Sequence, residues 1–150
     1  MTTLSGLARQ FLPLRRDPVW VPIYASATTN VIINNIAAGP SYLSTQLTIA
    51  LDLSWATHFR VVANINIAAA SGGTLRLRAS PDNSSYADAE DNGATDADLP
   101  ITATGLIVGQ WGRLSRAARI RTCYLRLAGF GGNGNDDPAF RVFGVELQQI

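Results

Sequence analysis

Lysine is missing from this chain: all 12 basic residues are arginine, and 11 acidic residues bring the formal charge to +1. With so small a net charge, no overall field draws the molecule to nucleic acid or to an anionic membrane, and electrostatic roles are regional. The missing lysine also excludes a phosphate loop, which needs Lys before Ser or Thr at a helix start. The glycines that suggest one, Gly129, Gly131, Gly132 and Gly134 in GFGGNGND, lead into a strand pattern instead.

Histidine and cysteine are nearly as scarce. His58 is the one histidine, so zinc triads are excluded and a Ser-His-Asp arrangement would have to use it. No G-x-S-x-G elbow accompanies it, and its place in WATHFRVVANINI, at a strand start, reads as structural. The single Cys123 cannot form an internal disulfide. Alternation in RTCYLRLAGF sets it beside Leu125 and Leu127, as a buried and inert thiol. No stretch approaches the roughly 20 apolar residues of a membrane-spanning helix. The first residues, MTTLSGLARQFLPLRRDP, place their arginines after their apolar residues, the wrong order for a secretory signal. The expectation is an intracellularly made, soluble protein that binds neither nucleic acid nor membrane.

What is present is strand after strand. At 150 residues, 47% hydrophobic and 15% charged, the chain suits one globular domain that buries roughly 70% of its unfolded surface. From Val19 on, VWVPIYA, NVIINNIA, STQLTIALDL, HFRVVANINIA, GTLRLRAS, ARIRTCYLRLAG and AFRVFGVELQQI are rich in β-branched, aromatic and aliphatic residues, separated by TTN, GPS, SGG and GGNGNDDP. Leu75 and Leu77 oppose Arg76 and Arg78, and Leu125 and Leu127 oppose Arg126, so one sheet face meets water or a partner. Seven or eight strands without a long amphipathic helix predict an all-β fold, an antiparallel β-sandwich or jelly roll. LSRAARI, from Leu114 to Ile120, is the one short helix expected in the body.

Two loops are acidic. Ser80 to Pro100 holds Asp82, Asp88, Glu90, Asp91, Asp96 and Asp98, a possible calcium site by charge, but D-x-[DN]-x-[DN]-G spacing is missing and a solvated loop is expected. Asp136 and Asp137 sit in GGNGNDDP, read as a sharp turn. Arg113, Arg116, Arg119 and Arg121 form the densest basic group, fit for an acidic protein or a phosphate. Acidic residues concentrated on one loop do not suggest the paired carboxylates of a glycosidase. No catalytic residue, cofactor or metal is expected.

Met1 to Pro18 reads as an N-terminal arm ahead of a sandwich from Val19 to Ile150. Leu4, Leu7 and Phe11 would share one face of a short helix, interleaved with Arg9, Arg15 and Arg16, while Pro13 and Pro18 interrupt it. A segment this short needs something to pack on, its own domain or a neighbour.

The C-terminal half, roughly Gly73 to Ile150, resembles small jelly-roll proteins of tailed-bacteriophage virions. A strand LRLRAS is followed by the loop PDNSSY, matched at Leu75, Arg76, Ala79, Ser80, Asp82 and Tyr86. A Gly- and Asp-rich turn then leads into the last strand, matched at Pro138 and Phe140. With the arm, the layout resembles a capsid decoration, or cement, protein. The resemblance implies a homotrimer on the virion capsid surface, bound to the major capsid protein and to neighbouring copies of itself. Its contacts would come from Leu4, Leu7, Arg9, Phe11, Leu12, Leu14, Arg15 and Arg16. The alternative is a carbohydrate-binding module of a phage tail or fibre, with Trp55 or Trp111 as the stacking platform.

Overall fold

The computed structural model describes residues 17–33, 36, 39–42, 50–69, 71–120, 122–131 and 136–150. The arm contacts expected before Asp17 lie outside the described residues. In chain order the elements are β1 (Val19–Ala25), β2 (Val31–Ile32), β3 (Ser41–Tyr42), β4 (Ala50–Asp52), β5 (His58–Ile67), β6 (Thr74–Ser80), β7 (Ala87–Asp88), β8 (Leu99–Pro100), β9 (Gly105–Val108), β10 (Gly112–Arg113), α1 (Arg116–Arg119), β11 (Thr122–Phe130) and β12 (Ala139–Gln148). α1 falls within the predicted LSRAARI, where the Ser115 hydroxyl caps it by accepting from Ala118 N at 3.3 Å.

Two antiparallel sheets pack face to face. Sheet A follows the order β1-β12-β5-β10, with β2 also on β12 and β9 also on β5; sheet B follows β3-β11-β6-β7, with β4 also on β11 and β8 also on β6. The shorter segments lie end to end in pairs along these central strands, so β1 and β2, β3 and β4, β7 and β8, and β9 and β10 each act as one interrupted strand. Counted that way the described residues form eight strands, ordered 1-8-3-6 in sheet A and 2-7-4-5 in sheet B. This is the interleaving of a jelly roll.

Alternation explains which side chains meet between the sheets. β5 sends Phe59, Val61, Ala63 and Ile65 inward and β12 sends Phe143, Val145 and Leu147; sheet B answers with Leu75 and Leu77 from β6 and Cys123, Leu125 and Leu127 from β11. The edge strands are interrupted where the backbone has local work. Between β1 and β2 the Ser26 hydroxyl accepts from Thr28 N and Thr29 N. Between β7 and β8 the chain makes a 3-10 turn at Asp91–Gly93, with Asn92 in the left-handed region at φ +56. Between β9 and β10 a bulge intervenes: Gly109 bonds to Val61 and Gly112 pairs with Phe59, so Gln110 and Trp111 both face Arg60.

Candidate functional site

The two outer faces of the sandwich differ in chemistry. On sheet B, the arginines predicted to face outward form a tied lattice. Arg76 holds Asp98 with both arms of its fork, Nε to Oδ1 at 3.0 Å and Nη2 to Oδ2 at 2.8 Å, and reaches Asp88 at 3.3 Å. Its guanidinium also lies 4.2 Å from the centre of the Phe130 ring. Hydrogen bonding to Asp98 raises the Arg76 pKa further above its ordinary value. Arg78 donates to the Tyr42 hydroxyl at 3.0 Å and to the Tyr86 carbonyl at 2.8 Å, and its Nε lies 3.3 Å from Asp88. Arg126, paired with Arg78 in register, stacks on the Tyr42 and Tyr86 rings.

These contacts disperse the acidic loop. Asp88 and Asp98 neutralise Arg76, while Asp82 closes its own turn by accepting from Ser84 N, Ser85 N and the Ser80 hydroxyl at 2.8–3.0 Å. Those bonds, the one from Ser85 N foremost, hold the Asp82 carboxyl below its ordinary value. Glu90 turns inward to 6% exposure, where Ala97 N donates to it at 3.1 Å and burial raises its pKa. Among the described residues no group of three or more His, Cys, Asp or Glu side chains is placed to hold a metal.

Sheet A is apolar outside. Among the described residues eight large apolar side chains are exposed, and six of them lie on sheet A strands: Trp20, Ile32, Ile67, Leu106 and Val108, with Val19 at the strand end opposite the inward-facing Leu147. Pairing places Val62 opposite Gly144 on one side and Val108 on the other, with Leu106 beyond Asn64. The Trp20 indole reaches over Gly144, which has no β-carbon to block it. Ile32 and Ile67 flank Ala139 at the far end. Val62 and Ala139 are buried yet do not join the core between the sheets. At the opposite end Arg60 bonds to Glu146 at 2.6 Å and its guanidinium lies 4.6 Å from the centre of the Trp111 ring.

The structure therefore places the two tryptophans singled out as stacking platforms differently. Trp55 is half-buried on the turn before β5 and packs against the core. Trp111 is half-buried, and Arg60 takes one face of its ring. Trp20, which the strand pattern alone did not single out, is 39% exposed. A shallow depression of about 110 Å³ lies between β6, β7 and α1, lined by Ser80, Ser85, Asp88, Ser115 and Cys123 among others. It is smaller than the 300–1,000 Å³ typical of small-molecule sites. Cys123 is buried there, its thiol donating to the Ala118 carbonyl at 3.3 Å.

His58 is half-buried at the start of β5, its Nδ1 2.8 Å from the Thr57 hydroxyl. Burial, with Arg113 and Arg119 nearby, lowers its pKa. Of the predicted basic group, Arg113 and Arg116 are exposed and Arg119 is half-buried, while Arg121 lies outside the described residues. Among the described residues no helix is long and apolar enough to cross a membrane. The chain matches no protein-family model and no curated protein sequence.

Proposed function

We propose that this chain is a non-enzymatic structural subunit of a phage virion, a decoration protein that binds the outside of the head through the outer face of sheet A. The observation that carries this reading is the division of the sandwich into a charge-tied face and an apolar one. On sheet B, Arg76 and Arg78 are tied to Asp88, Asp98 and the Tyr42 hydroxyl of the same chain, and Arg126 lies against the Tyr42 and Tyr86 rings. On sheet A, Trp20, Leu106 and Val108 stand exposed around Val62, rimmed by the Arg60–Glu146 pair. A contiguous apolar patch with a polar rim is the usual form of a protein-docking surface. The partner is the major capsid protein, and the arm before Asp17 adds contacts with neighbouring subunits.

Virions answer this directly. Purified particles are expected to contain the chain in a fixed ratio to the major capsid protein, and antibodies against it should label intact heads. Particles that lack it, or label only at the tail, contradict the reading. A saturable quench of tryptophan fluorescence by a sugar would favour the carbohydrate-binding module instead.

A further inference from the structure

The edges of the two sheets are not equally guarded. β1 carries Pro22 with a bulge beside it, β8 ends in Pro100, and β7 is two residues long with Asp88 tied to Arg76. Prolines, bulges, short strands and charges all discourage another strand from adding to an edge. β9 carries neither proline nor charge, and the bulge at Gln110 and Trp111 lies beyond its end. Its sequence is Gly-Leu-Ile-Val, inside a run from Leu99 to Gly112 that contains no charged residue.

The ladder to β5 determines which β9 groups face outward. Gly109 N donates to Val61 O at 2.8 Å, and the same register sets Ile107 opposite Ala63 and Gly105 opposite Ile65. Bonded and non-bonded pairs alternate along an antiparallel ladder. Gly105, Ile107 and Gly109 therefore bond to β5, while Leu106 and Val108 turn their N–H and C=O groups away from it. The side chains of the same two residues are 67% and 49% exposed. Among the described residues no strand pairs with this edge.

We propose that a second copy of this chain pairs there, β9 against β9, antiparallel across a two-fold axis at Ile107. A two-fold axis brings each residue near its own copy, so a charged edge would repel itself and an uncharged one does not. The parity fits. Leu106 of one copy meets Val108 of the other as a bonded pair, on both sides of the axis, and the four outward backbone groups of each copy find partners. The apolar side chains meet on the outer face and join the two A sheets into one. This inference stands on the β9 edge alone and is independent of the virion reading. It makes self-association two-fold, where the resemblance implied three-fold. The seam is small, which puts the pair at the weak, concentration-dependent end of specific interfaces.

Sedimentation velocity of the full chain over rising concentration tests it. The mass is expected to climb from the 16.0 kDa of one chain toward twice that value. L106K and V108E should each weaken the pair by about tenfold or more, since the two-fold counts every change twice. The double variant L106K/V108E sets opposite charges across the seam and should recover the dimer. V108P removes an outward donor while leaving the ladder to β5 intact, and should also weaken it. Circular dichroism confirms that the variants compared are folded. A monomer at every concentration, a three-fold mass, a dimer that L106K leaves unchanged, or a double variant that stays apart overturns the proposal.

Discussion

The Trp20 indole occupies the space that a side chain on Gly144 would need: a β-carbon there would lie 2.8 Å from Trp20 Cη2, and it would also press on the Val21 carbonyl. Gly144 is thus the floor on which the most exposed aromatic of sheet A rests. Gly144→Ala is expected to destabilise the fold by about 1–3 kcal/mol, because neither the indole nor the β1 backbone can give way without cost. Urea denaturation measures the loss, and a red shift of tryptophan emission reports the displaced ring. An unchanged midpoint and spectrum would show that Trp20 is not seated there.

Arg76 joins three separate stretches of sheet B through Asp88, Asp98 and Phe130. Its side chain and that of Asp98 are mostly buried, so removal leaves a carboxylate without its cation. Arg76→Ala should cost about 2 kcal/mol, reduced from the value for a fully buried pair because some solvent reaches both groups. Arg76→Lys keeps the charge but loses the fork and the flat stack on Phe130, and should recover only part of the loss.

Glu90 gives a pH dependence of definite sign. Burial raises its pKa above the ordinary 4.5, against the opposing pull of the Ala97 N–H. Between the ordinary and the raised value the folded chain holds more protons than the unfolded chain, so this group's contribution to stability falls as pH rises through that window. Glu90→Gln keeps an oxygen for Ala97 N and has nothing to titrate. Thermal unfolding from about pH 4 to about pH 7 should therefore show the wild type losing ground to Glu90→Gln as pH rises. Parallel curves would mean that Glu90 does not titrate in this range.

Deleting Met1 to Arg16 should leave the sandwich folded with nearly the same melting temperature, because the described strands begin at Val19. It should also weaken attachment to the head, by removing the contacts that the arm adds with neighbouring subunits. An unfolded truncation would make the arm part of the core.

The long strands were legible in the sequence: VWVPIYA, HFRVVANINIA and AFRVFGVELQQI by their β-branched and aromatic content, and two more by clean alternation. TLRLRAS and CYLRLAGF became the paired centre of sheet B, with their arginines outside and leucines inside as read. The helix at LSRAARI followed from its capping serine. What was not legible depended on pairing. GLIV was not read as a strand, since four apolar residues have no period long enough to recognise and their partner β5 is about forty residues away in the chain. Glu90 was grouped with a solvated acidic loop, but its bridge to Leu114 across the sandwich draws it inward. Gly72 and Gly73 of SGG and Gly131 of GGNGNDDP stand at positive φ, as turn formers do, while Gly132 and Gly134 lie outside the described residues. Trp20 went unmarked because its exposure follows from the β1–β12 register, which sets it opposite Glu146 and beside Gly144. One signal was available. An uncharged run from Leu99 to Gly112 is long for a surface segment, and it pointed to the edge of sheet A.

Cosedimentation of the purified chain with phage heads that lack it, comparing wild type with Trp20→Asp, tests the central claim most directly. The account predicts saturable binding of the wild type at a fixed number of copies per head, and a loss of about tenfold or more in affinity for the variant, whose charge would sit in the apolar face. Heads that bind neither protein, or bind both equally, would contradict it.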